Sequence, residues 1–299
     1  MSSAQQPFSD RLAEAVLRAG NPLCVGIDPR WESLPTWFRQ RHDDTLDGRA
    51  HAYAEFGLRV LDLVAPYVAV VKPQSAFFEA CGPAGFSAQQ AILRRSRELG
   101  LISILDAKRG DIASTATAYA DAAFGVWDAD ALTVNPYLGR DAVEPFIQCA
   151  RAKQRGLFVL VRTSNPGSGM FQNLQVKGKP LYENVAAEVG AWNRENLGAC
   201  GLGDVGAVVG ATHPQELRAL RALLPEVWFL VPGFGAQGGR AEDIASAFRS
   251  DGLGALINSS RGITFPFQPD DPQWESAIVK ATRETITALK AATGSKSGV

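Results

Sequence analysis

Short, nearly unbroken apolar runs alternate along the chain with segments whose apolar residues recur every three to four positions. The runs are Leu23–Asp28, Val68–Lys72, Leu101–Asp106, Ala131–Asn135, Leu157–Arg162, Val205–Gly210, Val227–Val231 and Gly254–Asn258. Each is of strand length, and continuous apolar character means that both faces are covered, as in a parallel sheet. Between them Ala52–Leu63, Ala88–Leu99, Leu181–Leu197 and Pro214–Leu224 carry the helical period. Strand and helix in alternation, eight times over, predict an α/β chain folded as a single-domain (β/α)8 TIM barrel. A doubly wound open sheet is the alternative. The Gly-x-Gly-x-x-Gly turn expected after its first strand is absent, however, because Gly26-Ile-Asp-Pro stands there.

The flanks are simpler. Phe8, Leu12 and Val16 recur at helical spacing, Ser9 or Asp10 can cap, and Gly20 is a stop signal. Residues 1–22 are therefore expected to form a helix packed on the barrel, which occupies 23–290. The small, polar stretch 291–299 is expected to be a disordered tail. Two insertions interrupt the rhythm, Pro29–Arg49 after the first strand and Ser164–Lys179 after the fifth. The second is rich in Gly, Asn and Ser, with Met170 and Phe171 as its expected apolar anchors. Long loops at the catalytic end of a barrel serve as lids or binding loops.

Composition narrows the function by exclusion. The 299 residues are 46% hydrophobic and 20% charged with net charge −1, and the pI is near 6.3. That balance creates no global field for nucleic acid or an anionic membrane, so any anionic ligand must be held by a few local groups. No apolar run approaches the length of a membrane span, and the N-terminus has no signal-peptide core. Cys24, Cys81, Cys149 and Cys200 are scattered, as in a reducing cytoplasm. His42, His51 and His213 show no metal-ligand spacing, so no metal is expected.

Chemistry in a barrel sits at the C-terminal ends of the strands. Read there, the sequence gives Asp28, then Lys72-Pro73-Gln74, then Asp106-Ala-Lys108-Arg-Gly-Asp111-Ile112, Asn135-Pro-Tyr137, and Arg162-Thr-Ser164-Asn165. The last two ends are Pro232-Gly-Phe-Gly-Ala-Gln237-Gly-Gly and Asn258-Ser259-Ser260-Arg261-Gly262. Asp106 and Lys108 are two apart, so a regular strand would put them on one face. Asp and Lys are almost never buried unless paired, so a charge cluster ending a buried run points to a site. The bland reading is a surface ion pair followed by Asp111 capping a helix. Lysines and carboxylates alternating on adjacent strands keep each other charged, which suits a reaction met by charges already in place. Gly233, Gly235, Gly238 and Gly239 let backbone amides approach an anion, and Gln237 and Arg261 can donate to a phosphate.

These motifs together resemble the orotidine 5′-phosphate decarboxylase family, in its longer bacterial branch. The Asp-x-Lys-x-x-Asp-Ile stretch is the most specific element. Asp28, Lys72, Ser164-Asn-Pro-Gly, Pro-Gly-x-x-x-Gln237-Gly-Gly and Arg261-Gly match in order. The resemblance implies decarboxylation of orotidine 5′-phosphate to UMP with no cofactor. It makes Lys108 the proton donor to C6, with Lys72, Asp106 and Asp111 completing the charged network. It further implies contacts from Asp28 to ribose, Ser164 to the pyrimidine amide, and Gln237, Ser260 and Arg261 to phosphate. In the family Asp111, Ile112 and Thr115 reach the partner's site, so a homodimer is implied. Which of Ser259, Ser260 and Arg261 dominates phosphate binding stays open, because short-branch members end the eighth strand differently.

Other readings remain at this stage. A sugar-phosphate decarboxylase or isomerase of the same superfamily would use the Asp-x-Lys-x-x-Asp stretch with Mg²⁺, but it wants an acid where strand two supplies Lys72. A Schiff-base aldolase needs a nucleophilic lysine, and a lysine flanked by aspartates stays protonated. A barrel that only binds a phosphorylated ligand is the non-enzymatic case.

Overall fold

Eight parallel strands pair in a closed ring: β1 (Leu23–Ile27), β2 (Val70–Pro73), β3 (Ile102–Arg109), β4 (Ala131–Val134), β5 (Gly156–Arg162), β6 (Val205–Val209), β7 (Phe229–Val231) and β8 (Ala255–Ser259). β8 returns to β1, with Leu23 opposite Ile257, and leaves no open edge. This computed structural model describes residues 6–211, 214–233 and 241–293. The strands are where the apolar runs predict them, within a few residues at each end.

Period-two alternation sorts each strand between two cores. Val25, Ile27, Leu157, Val159, Ala207 and Ile257 point outward and pack with the surrounding helices. Cys24, Val70, Ile104, Ala131, Phe158, Val208, Leu230 and Leu256 point inward and fill the barrel. Because both sets are apolar, the strands read as continuous runs rather than as alternating ones.

The inner core is closed at its N-terminal end by α1 (Phe8–Ala19), whose Phe8, Leu12 and Val16 belong to it. Gly156 opens β5 against this helix; a Cβ there would come within 2.2 Å of the Phe8 ring. Gly20 ends α1 in the left-handed region at φ 64°. Capping by Ser9 or Asp10 does not occur, since Pro7 holds the cap position. Asp10 instead accepts from the amides of Ala199 (3.0 Å) and Cys200 (2.8 Å), tying the helix to a distant loop.

The insertion after β1 folds into a 3-10 turn (Trp31–Ser33) and a short helix (Thr36–Arg41). The one after β5 forms turns at Pro166–Ser168 and Gly169–Gln172, then a two-stranded antiparallel ribbon, Gln175–Val176 with Lys179–Pro180. Met170 and Phe171 are 73% and 59% exposed, so they do not anchor this loop. Polar bonds do: Gln172 accepts from the Thr163 amide (3.1 Å) and donates to its hydroxyl (2.8 Å). The last helix, Trp274–Thr293, runs past residue 290, and 294–299 lie outside the described residues.

Leu12→Ala should cost about 2–5 kcal/mol, because it empties a fully buried position at the stopper of the inner core. Urea unfolding of parent and variant measures this directly. A loss below about 0.5 kcal/mol, the range of surface changes, would deny α1 its place in the core.

Candidate active site

At the C-terminal end of the barrel, the topmost inward positions line a cavity of about 460 Å³. Its wall is divided by strand. Asp28, Lys72, Asp106, Thr133 and Asn258, from β1 to β4 and β8, make a polar arc. Leu160, Val208 and Leu230, from β5 to β7, make an apolar one. The eight positions are one inward position from each strand, high on the period-two pattern that the strands below share.

Asp106 is the hub of the polar arc. Its Oδ2 accepts from Lys72 Nζ (2.7 Å) and Gln74 Nε2 (3.0 Å), and its Oδ1 from Lys108 Nζ (2.6 Å) and Thr133 Oγ1 (2.9 Å). Two donors on each oxygen fill the acceptor capacity of a carboxylate. Burial alone would raise the Asp106 pKa, but the Lys72 and Lys108 ammoniums outweigh it and hold the group well below the usual carboxylate range. Burial alone would likewise lower that of Lys72; the Asp106 and Asp28 charges reverse the sign and raise it. Lys72 is 5% exposed, whereas the Lys108 side chain is 45% exposed and opens to the cavity. Beneath Lys72, burial pushes the Cys24 thiol up to about 12, which removes it as a nucleophile.

Lys108 shares the Asp106 carboxylate with Lys72, but simple alternation does not bring it there. β3 advances four positions from Leu105 to Arg109 while its partner β4 advances two, from Leu132 to Val134. Within this bulge Lys108 sits at φ 47°, in the left-handed region. The amides of Ala107 and Lys108 both donate to Thr133 Oγ1, at 3.0 and 2.9 Å.

Two further oxygen atoms, on Asp28 and Asn258 of the cavity wall, are buried without an internal partner. Ser260 Oγ donates to Asp28 Oδ2 (2.7 Å), yet Asp28 Oδ1 is buried and unpaired, as is Asn258 Oδ1. A buried acceptor without a donor is expensive, and two beside one cavity mark where ligand donors belong. The rim is also drawn close by glycines. A Cβ on Gly26 would fall 2.7 Å from Ser260 Cβ, and one on Gly210 would fall 2.9 Å from Ser164 Cβ.

The other sequence-predicted residues do not all reach the cavity. Ser164 and Asn165 line the cavity. Arg261, exposed at the start of a one-turn helix (Arg261–Thr264), does not line it, and Ser259 is buried. Asp111 stays away from the charge network; its Oδ1 accepts only from the Ile112 amide (2.8 Å), and it makes no cap for the helix Ala113–Asp121. Ile112 is 57% exposed and Thr115 is exposed. Gln237, Gly235, Gly238, Gly239 and His213 lie outside the described residues. Arg162 is buried structure rather than site, pairing with Glu216 (2.6 Å) and lying 5.1 Å over the Tyr182 ring. Thr133 is the site residue that motif reading missed, its only signal a polar residue at an inward strand position, whereas Gln74 and Asn258 are read as strand ends without an assigned role.

A closed (β/α)8 ring with a buried lysine–carboxylate array at its C-terminal mouth defines an enzyme of the barrel class that meets charge with charge. The sequence profile of the Orotidine 5′-phosphate decarboxylase / HUMPS family matches residues 21–271, and the chain belongs to that family. The orotidine 5′-phosphate decarboxylase of Rhodopirellula baltica is 46% identical over 298 residues, covering 95% of this chain and 99% of its own. That of Deinococcus radiodurans is 43% identical over 285 residues, covering 95% of each. The solved OMP decarboxylase of Leishmania donovani superposes with a TM-score of 0.78 at 37% identity, covering 97% of this chain and all of its own.

A carboxylate whose folded pKa is depressed adds stability above its unfolded pKa and loses it as pH falls toward the folded value. For Asp106 the window opens below about pH 4, the ordinary aspartate range. Asp106→Asn should therefore lose about 3–5 kcal/mol at neutral pH, through the stranded Lys72, and show a shallower acid limb than the parent. Urea titrations between about pH 5 and 3 test both, and parallel limbs would deny Asp106 its depressed pKa.

Proposed function

We propose that this chain decarboxylates orotidine 5′-phosphate to UMP, without a cofactor, in the cytoplasm. The observation that carries the reading is the saturated Asp106 with Lys72 on one side and the cavity-facing Lys108 on the other. Breaking the C6–carboxylate bond leaves its electron pair on a ring carbon with no adjacent carbonyl to receive it. Lys108 opposes that charge as it develops and then transfers an Nζ proton to C6; solvent reprotonates the amine. Asp106 is fully occupied by donors and ionised, so it acts by charge and by fixing Lys108, not by accepting a proton. The apolar arc of Leu160, Val208 and Leu230 suits neutral CO2 better than the carboxylate it replaces.

The remaining contacts follow from chemistry and family resemblance. Asp28 and Asn258 offer unpaired acceptors to ribose hydroxyls. Ser164 meets the pyrimidine amide, and Gln237, Ser260 and Arg261 hold the phosphate. Gripping a group remote from C6 lets its binding energy drive orientation at the reacting carbon. Asp111, Ile112 and Thr115 complete the site of a second copy, so the working form is a homodimer. The exposure of Ile112 and Thr115, and an Asp111 carboxylate that bonds only the Ile112 amide, support this. Among the described residues no helix is long and apolar enough to cross a membrane, and the near-neutral charge suits neither a nucleic acid nor a membrane partner.

Purified protein treated with EDTA should still form UMP from orotidine 5′-phosphate, followed by the absorbance change. Activity that vanishes on chelation and returns with Mg²⁺ would favour the sugar-phosphate branch of the family. Lys108→Ala should lower kcat by at least ~10²-fold, the scale of a lost general acid, while UMP binding is partly retained. Comparable kcat in variant and parent would refute the proton-donor role. Mixed dimers of Asp111→Ala and Lys108→Ala should regain activity, since one hybrid site is whole; failure after verified subunit exchange would count against a shared site.

A further inference from the structure

We propose that Thr133 is the positioning residue that sets Lys108 for proton delivery, acting through the β3 bulge and not by touching substrate. The proposal rests on the decarboxylation assigned above. Thr133 lies on β4 at an inward position and is 1% exposed. Its hydroxyl accepts from the amides of Ala107 and Lys108, at 3.0 and 2.9 Å. A hydroxyl has two lone pairs and one proton. With both lone pairs taken by amides, the proton can only go outward, and Asp106 Oδ1 stands 2.9 Å away. The direction of the O–H is thereby fixed, and every valence of the group is used.

Two otherwise costly features meet at this one atom. Excess chain in β3 would leave the amides of residues 107 and 108 without ladder acceptors, and Thr133 supplies one acceptor for both. Lys108 occupies the left-handed region at φ 47°, which side chains other than glycine rarely adopt unless their surroundings impose it. That conformation lets Lys108 reach the carboxylate that Lys72 approaches from the opposite side. Without the hydroxyl, β3 is free to relax toward an extended path, and the ammonium leaves the axis of Asp106. Lys72 reaches Asp106 from β2 and does not depend on the bulge.

Thr133→Val keeps shape and removes only the hydrogen bonds. Its kcat should fall on the order of 10²-fold, the cost of misplacing a reacting group by about 1 Å. KM and UMP affinity should stay within about threefold, because the substrate contacts remain. Thr133→Ser, which restores the hydroxyl, should recover kcat to within about fivefold of the parent. A purely structural role would instead lower the number of competent sites, which UMP-binding stoichiometry reports, and would leave kcat per competent site at the parental value. If the valine variant does not fold, serine against alanine replaces it, since both lack the methyl and differ only in the hydroxyl. Parent-like kcat in the hydroxyl-free variant, or no recovery with serine, overturns the proposal. A crystal structure of the hydroxyl-free variant is independent of turnover: Lys108 Nζ beyond hydrogen-bond reach of Asp106 supports it, and the parental contact retained refutes it. Absence of turnover in the parent would instead strike the assigned reaction.

Discussion

The carboxylate of Asp106 is the constraint around which this barrel's mouth is built. A buried carboxylate is tolerated only if its charge is met and its lone pairs are used, and here four donors from three strands and one loop do both. Each donor needs its own strand end to arrive at the right height. β2 brings Lys72 and passes Gln74 just beyond it, β3 bulges to return Lys108, and β4 lifts Thr133 between them. The ring closure of the sheet fixes these heights relative to one another. Removing the hub would leave a buried lysine facing only Asp28, which is why stability and chemistry are inseparable at this point.

The same set of inward positions explains why the cavity is chemically lopsided. Polar side chains cluster on contiguous strands, β8 and β1 to β4, and apolar ones on β5 to β7. A ligand bound there meets fixed charge along one edge and the apolar side chains of Leu160, Val208 and Leu230 along the other, with Ser164 and Asn165 at the rim above them. A reaction that turns an anionic substituent into a neutral gas and a transient carbanion needs both kinds of wall at once. Of the loops added after β1 and β5, the first packs Phe38 against Phe56 and Trp274, and the second brings Ser164 and Asn165 to this mouth. The second is held by Arg162, Gln172 and Thr163, and its exposed Met170 and Phe171 face away from any core of this chain.

Much of this architecture is legible from apolar periodicity, because a doubly covered strand announces itself as a continuous run. The strand-end charges are legible for the same reason: Lys72 and Asp106 interrupt runs that have no other cause to stop. Where reading fails, a longer-range contact has taken over. Asp10 and Ser9 carry helix-cap chemistry, but Asp10 serves the amides of residues 199 and 200. Met170 and Phe171 have the character of anchors, yet Gln172 does the anchoring. Thr133 is unremarkable in Ala131-Leu-Thr-Val, because its role exists only across β3 and β4. Asp106 and Lys108 do meet, though a bulge in β3 and not plain alternation sets their contact.

That bulge has a consequence for how this segment can change length. Its surplus over β4 is two residues, an even number, so the inside-outside parity of β3 is the same before and after it. Arg109 therefore re-enters the ladder opposite Val134 and still reaches Glu79 on the outer side. A deletion or insertion of a single residue between Asp106 and Arg109 would invert that parity and turn a guanidinium toward the barrel axis. Indels in this stretch are admissible only in pairs, so its spacing is held by geometry as firmly as its residue types are held by chemistry.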